Sequence, residues 1–269
     1  MSYQYSCIIP VRDRCRLVQE AVASVLAQEA EGGEIIVVDD HSRDGVAQVL
    51  AARFPQVRLL RLNDESSGPG AARNAGVAAA SSEVIMFLDS DDRWTPDHAG
   101  RLLAALERGF AVAYGPTRTL DQINGGEFAV PAAGEEIEGD CFSALLHWCF
   151  LLPSAMALSR AAFIRSGGFG PGDLGEDWGF FLRLSRGHHF AFASGPPLTV
   201  RRLHQGSLCR LLDPARLPAA LRRLAAAAAE DATGARFAAL ARWTEARVGR
   251  ENWATIQEWY LALREENLV

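Results

Sequence analysis

Three carboxylates crowd the end of one apolar run. In VIMFLDSDDRWTPD, from Val84 to Asp97, the residues Ile85, Met86, Phe87 and Leu88 would form a buried strand, and Asp89, Asp91 and Asp92 follow at its carboxyl end. That edge is where α/β proteins keep their ligands. Carboxylates gathered there suit a hard cation, which in turn suits a phosphate. A second acidic pair, Asp39 and Asp40, ends the run EIIVVD and is followed by HSRDG. The ordinary reading of that polar run is a helix start with Ser42 or Asp44 as its cap. Only one of the two adjacent carboxylates can face the core side of such a turn. A carboxylate beside a planar base accepts a hydrogen bond from a ring N–H, which makes Asp40 a candidate nucleobase reader.

Two further segments carry suitable groups. In SSGPGAARNAG, Ser66 to Gly76, the residues Gly68, Pro69 and Gly70 form a turn into a helix expected to begin near Ala71. The free backbone N–H groups of such a start attract an anion. Arg73, one turn in, would reach the same anion or stack on a base. In GEDWGFFLRL, Glu176 and Asp177 open a helix whose Phe180, Phe181 and Leu184 face the core, which sets both carboxylates at its amino end. Helix capping is the alternative reading of that pair, since acidic residues favour first turns.

These residues need a frame that brings them together. Ser6–Val11, Glu34–Asp39, Val57–Leu62, Val84–Leu88 and Phe110–Tyr114 read as strands, and Ala155–Leu158 as a later one. Helical spacing of Val18, Val22, Val25 and Leu26, and of Leu102, Leu103 and Leu106, falls between them. Strands separated by helices imply a mostly parallel, Rossmann-like sheet covered on both faces, with every strand's carboxyl end on one edge. The first strand is expected to stop at Pro10, exposing backbone around Val11, Arg12 and Asp13 to a ligand. Residues 115–140 look irregular and polar, as a lid, a binding loop or an idle insertion would. A helix is expected from Glu176 to Arg186. Residues 213–269 read as a helical extension, with an Ala-rich run from Leu221 to Ala229 and Trp253, Ile256, Tyr260 and Leu263 on one face. Packing alone and homodimerisation are both open for it. The main domain is then 1–212.

Composition narrows the partners. The chain has 269 residues, 49% hydrophobic and 22% charged, with a net charge of -6, which opposes a nucleic-acid partner. All 27 basic residues are Arg, so a Walker A lysine, a Schiff base and a lysine base are excluded. The 5 cysteines are Cys7, Cys15, Cys141, Cys149 and Cys209. They follow no secretory h-region and suit a reducing cytoplasm. Cys141, His147 and Cys149 match no closed zinc spacing. No apolar run is long enough for a membrane span.

Taken together and in this order, CIIPVRD, EIIVVDDHSRDG, GPGAARNAG, VIMFLDSDDRWTPD and GGFGPGDLGEDWGFFLRL make the chain resemble the inverting family-2 glycosyltransferases of GT-A fold, over roughly Ser6 to Leu208. The resemblance implies a nucleoside-diphosphate-sugar donor, commonly a UDP-sugar, held with Mn²⁺ or Mg²⁺. It places Asp40 on the base, with Pro10, Val11 and Asp13 in the loop beside it, and Gly70 and Arg73 near base and phosphates. Asp89 and Ser90 would approach the ribose, and Asp91 would ligate the metal. By the same resemblance Asp177 is the general base, while Glu176 and Trp178 position acceptor or sugar. His204, shortly before a Gly-Ser pair, joins the metal or diphosphate shell or is an ordinary surface His. Arg201 and Arg202 beside it are phosphate clamps or solvated.

The chain departs from the pattern in two places. Asp13 stands where the first motif usually has Asn, and no QxxRW follows Asp177. Single transfer to a glycan, lipid-linked or small acceptor therefore fits better than polymer synthesis, in the cytoplasm or at the inner face of a membrane. A sugar nucleotidyltransferase and a non-catalytic nucleotide-sugar binder are the alternatives. The first usually carries a glycine-rich basic signature where this chain has VRDRCR, and the second has no use for both Asp91 and Asp177.

Overall fold

The computed structural model describes residues 4–62, 68–171, 175–207, 217–227 and 232–248. The expected residues Trp253, Ile256, Tyr260 and Leu263, with Cys209 and Ser66, lie outside them. Strands β1 (Tyr5–Val11), β2 (Gly33–Asp39), β3 (Arg58–Arg61), β4 (Val84–Phe87), β6 (Val112–Tyr114), β9 (Met156–Ser159) and β10 (Phe190–Phe192) form a 7-stranded sheet in the order β10-β6-β9-β4-β1-β2-β3. Its pairs are parallel except at β9, which runs antiparallel to β4 and β6.

Period-2 geometry sends successive residues of the central strands to opposite faces, and because helices cover both faces these strands are continuous apolar runs. Ile8, Ile36 and Val38 join one core with Phe163, Phe180 and Phe181, and Cys7, Ile9, Ile35 and Val37 join another with Val18, Val22 and Leu102. The connecting helices are α1 (Cys15–Leu26), α2 (Val46–Arg53), α3 (Gly68–Ala79), α4 (His98–Glu107), the short α5 (Phe142–Leu145), α6 (Arg160–Arg165) and α7 (Glu176–Gly187). Leu26, expected on the buried stripe of α1, is exposed, since Val18, Ala21, Val22 and Val25 complete that face. Helices α8 (Leu217–Ala227) and α9 (Ala232–Arg247) supply Leu221, Leu224, Phe237 and Leu240 to the first core.

Two expectations need correction. β1 does not stop at Pro10: its pairing with β2 continues through Pro10–Val38 to Val11–Asp39, and both residues are buried. Pairing on the β4 side has already ended at Ile8–Phe87, so the missing N–H of Pro10 costs no ladder bond there. Residues 115–140 are not one irregular loop either. They contain β7 (Thr117–Asp121) and β8 (Glu127–Val130), an antiparallel pair within a 4-stranded sheet ordered β5-β11-β7-β8, where β5 is Arg93–Trp94 and β11 is Thr199–Leu203. This second sheet ties the segment after the DSDD turn to the segment carrying His204.

Candidate active site

The DSDD turn is folded by its own inward-facing members. Asp92 N–H donates to the Asp89 carbonyl at 2.9 Å, closing a turn directly beyond β4. Ser154 Oγ accepts from Asp89 N–H at 3.0 Å and donates to Asp92 Oδ2 at 2.8 Å. Arg202 N–H donates to Asp92 Oδ1 at 3.2 Å. Burial, then the charges of Asp91 and Asp89, push the Asp92 carboxyl up to about 8. Asp92 is therefore an internal post of the turn, and Ser90 beside it is buried as well.

Asp91 faces a different set of groups. Arg14 Nη1 lies 2.7 Å and His204 Nε2 3.1 Å from Asp91 Oδ2, and Arg202 Nε donates to the Asp91 carbonyl. The Gly-Ser pair after His204 has a mechanical role: Gly206 N–H donates to His204 Nδ1 at 3.1 Å, and Ser207 Oγ accepts from His204 N–H at 2.9 Å. With Nδ1 accepting, the neutral imidazole carries its proton on Nε2, turned toward Asp91. Asp91 Oδ2 suits a divalent cation, and His204 Nε2 would join it as a ligand only by passing its proton to Nδ1 and giving up the Gly206 contact. Among the described residues no third His, Cys, Asp or Glu joins them, nor does any such group form around Cys141 and His147. A metal here would take its other ligands from a diphosphate and water. Arg202 is not solvated: it is buried and held by Glu20 Oε2 at 2.6 Å.

The loops after β1 and β2 are laced together. Asp13 N–H donates to Ser42 Oγ at 3.0 Å, Arg43 N–H to Asp13 Oδ1 at 2.7 Å, and Cys15 N–H to Asp44 Oδ2 at 2.6 Å. The expected cap of α2 is thus absent: its N-cap is Gly45 at φ 81, while Asp44 serves the start of α1 and Ser42 the loop at Asp13. Asp39 closes its own turn through Ser42 N–H at 2.8 Å. Asp40 is buried, with its Oδ2 accepting from Gly68 N–H at 3.2 Å and its Oδ1 3.3 Å from His41 Nδ1. Asp40 therefore also meets the first N–H of α3, which begins at Gly68 rather than near Ala71.

Four residues of GPGAARNAG have a packing reason. A Cβ at Gly76 would fall 2.3 Å from Ile8 Cγ2, so only Gly lets α3 approach β1. A Cβ at Gly70 would meet Glu176, Phe169 and the Gly170 carbonyl, each at 3.1 Å. The Asn74 amide pairs with both backbone groups of Phe169, at 2.9 Å each. Buried Arg73 reaches Asp89 Oδ1 at 2.5 Å and Glu176 Oε1 at 3.2 Å, with its guanidinium 5.0 Å from the Phe169 ring centroid. α3 thereby fixes the start of α7 against the end of β4.

At that start, Glu176 is buried and its carboxyl is pushed up to about 7, first by burial and then by Asp177, against the pull of Arg73. Asp177 remains partly exposed, accepts from Trp178 N–H at 2.7 Å, and is raised by burial, with Arg73 lowering it and Asp89 raising it. Arg201 also acts on Asp177 and on Asp92. The indole N–H of Trp178 donates to the Leu145 carbonyl at 2.6 Å, and its ring meets Phe237 edge-on at 5.4 Å.

Contacts along the carboxyl edge of the sheet thus run from Asp40 through the start of α3 to Glu176 and Asp89, and from Asp91 to His204. Sequence reasoning missed Ser154 and Glu20 and gave Arg14 no place. Ser154 in LLPSAMAL carries no motif signal, while Arg14 was legible only as part of a charged loop. A cavity of about 980 Å³, lined by Phe110, Asp140, Phe142, Arg186, His188 and His189 among others, opens at the opposite edge, beside the amino ends of β6 and β10.

The fold is of GT-A type. It is similar to that of S. aureus TarS crystallised with UDP-GlcNAc, with a TM-score of 0.68 and 18% sequence identity over 87% of this chain and 70% of that one. The model of Glycosyl transferase family 2 matches residues 6–162, and the chain belongs to that family. It is similar to an uncharacterized glycosyltransferase of Nostoc sp., 34% identical over 58% of this chain and 50% of that protein. It also resembles the succinoglycan biosynthesis protein ExoO of Rhizobium meliloti, 48% identical over 31% of this chain and 24% of that protein. The chain therefore spans half or less of the length of these two relatives.

Proposed function

We propose that the chain transfers a single sugar from a nucleoside-diphosphate sugar, of the UDP class, to an acceptor hydroxyl in one inverting displacement, with Asp177 as general base. The observation that carries this reading is the Arg73 fork. One guanidinium holds Asp89, at the end of the strand leading into the metal-type turn, and Glu176, the neighbour of the base. Asp40, the end of β1 at Pro10 and Val11, and Asp13 beyond it border the base subsite, and Asp89 and Ser90 the ribose. Asp177 removes the proton from the acceptor oxygen as that oxygen attacks the anomeric carbon. The bond to the diphosphate breaks, and its electron pair leaves with the diphosphate. Asp91 and His204 would hold Mn²⁺ or Mg²⁺, which supplies positive charge against the leaving group. Glu176 and Trp178 border the acceptor side.

The acceptor is a glycan or lipid-linked precursor, in line with the succinoglycan biosynthesis name of one relative. Among the described residues no helix is long and apolar enough to cross a membrane, and we place the reaction in the cytoplasm or at the inner face of a membrane. Melting the protein against a panel of nucleoside diphosphates and their sugars, with and without Mn²⁺, tests the donor assignment. A ligand at 100 times its Kd adds about 2.7 kcal/mol of stability. A uridine diphosphate compound with Mn²⁺ is expected to raise Tm most, and an unchanged Tm across the panel would remove the donor site from the account.

A further inference from the structure

Arg14 holds the same Asp91 oxygen that faces His204. Its Nη1 donates to Asp91 Oδ2 at 2.7 Å, and the same oxygen lies 3.1 Å from His204 Nε2. Its Nη2 donates to the Gly206 carbonyl at 2.9 Å. Arg14 therefore bridges the loop entering α1 and the turn whose Gly206 N–H holds the His204 ring. One guanidinium thus joins Asp91 to the turn that holds the His204 ring.

We infer that Arg14 is a resident cation that competes with the divalent metal for Asp91, so that the metal enters this site only together with the donor's diphosphate. This rests on the metal-assisted donor site proposed above. Two cations on a single carboxylate oxygen repel each other, and a guanidinium, always protonated, cannot relieve the repulsion by losing its charge. A diphosphate changes the balance, because it brings negative charge for both cations and oxygens that a guanidinium contacts in bidentate fashion. Arg14 is free to make that exchange, its side chain being 23% exposed, whereas Arg202, 8% exposed, is fixed between Glu20 and the turn. The arrangement orders binding: Arg14 keeps Asp91 neutralised in the empty site and passes to the diphosphate when the metal arrives with it.

Calorimetric titration of the full chain with Mn²⁺, with and without saturating UDP, tests this on the wild type, Arg14→Gln and Arg14→Lys. Wild type is expected to bind Mn²⁺ at least tenfold more tightly with UDP than without. Arg14→Gln is expected to bind Mn²⁺ alone about tenfold more tightly than wild type, about 1.4 kcal/mol. Arg14→Lys keeps the charge and should stay with the wild type. Equal affinity of wild type and Arg14→Gln for Mn²⁺ alone, or Arg14→Lys binding as tightly as Arg14→Gln, overturns the competition. Absence of Mn²⁺ binding in all three proteins even with UDP would instead sink the metal-assisted donor site itself.

Discussion

Asp177→Asn is expected to lower turnover by about 10²- to 10⁴-fold while leaving UDP affinity unchanged. The substitution keeps the oxygen that accepts from Trp178 N–H, so the start of α7 keeps its shape and only the capacity to take a proton is lost. Asp177 suits the role because burial raises its pKa, which makes its carboxylate a stronger base than a free Asp, while Arg73 opposes the rise. The sign of the pH effect follows. A base works in its deprotonated form, so the acid limb of kcat/KM should fall at higher pH than the value of about 3.9 typical of Asp. Steady-state kinetics alongside UDP titration checks both parts. Loss of UDP binding in Asp177→Asn, or unchanged turnover, would remove Asp177 from the chemistry.

Arg73→Met is expected to cost about 3–5 kcal/mol of stability, the usual consequence of removing one partner from a buried ion pair. That corresponds to a Tm lower by roughly 10 °C for a chain of this size. Arg73 is 4% exposed and joins Asp89 with Glu176, and Glu176 is itself buried. The loss should depend on pH in a defined direction. Arg73 lowers the Glu176 carboxyl, which already stands at about 7 in the folded protein against 4.5 ordinarily. Without Arg73 the folded-state value rises further. The folded protein then holds a proton that the unfolded chain releases above about 4.5, and stability falls as pH climbs through the folded value. The variant should accordingly lose more at pH 8 than at pH 5. Adding Glu176→Gln should restore a large part of it, as a double-mutant cycle would show. A pH-independent loss would mean that packing on Phe169, not charge, is what Arg73 supplies.

The residues that announced themselves in the sequence were those whose partners are local. Val84–Leu88 followed by DSDD is a strand with its turn, and the continuous apolar runs of β1 and β2 are readable because both faces of those strands are buried. The Arg73 fork was only half legible. The type of residue and its place one turn into α3 could be read, but its partners lie 16 and 103 residues away. Asp13, Ser42 and Asp44 were read as local caps or base contacts, whereas their bonds cross between two loops about 30 residues apart. β7 stayed hidden for a different reason. Its inward residues are Thr117 and Thr119, fully buried hydroxyl side chains, so no apolar alternation marks the strand, and its parallel partner β11 comes some 80 residues later. Ser154 had no signal at all, because its value lies in meeting Asp89 and Asp92 from across the sheet.

The most direct measurement is a crystal structure with UDP and Mn²⁺, recorded at the manganese absorption edge. The prediction is one anomalous peak within bonding distance of Asp91 Oδ2 and His204 Nε2, with the uracil against Asp40 and Asp177 open to the same cleft. UDP bound beside His188 and His189 at the opposite edge, or Asp40, Asp91 and Asp177 lining separate hollows, would contradict it.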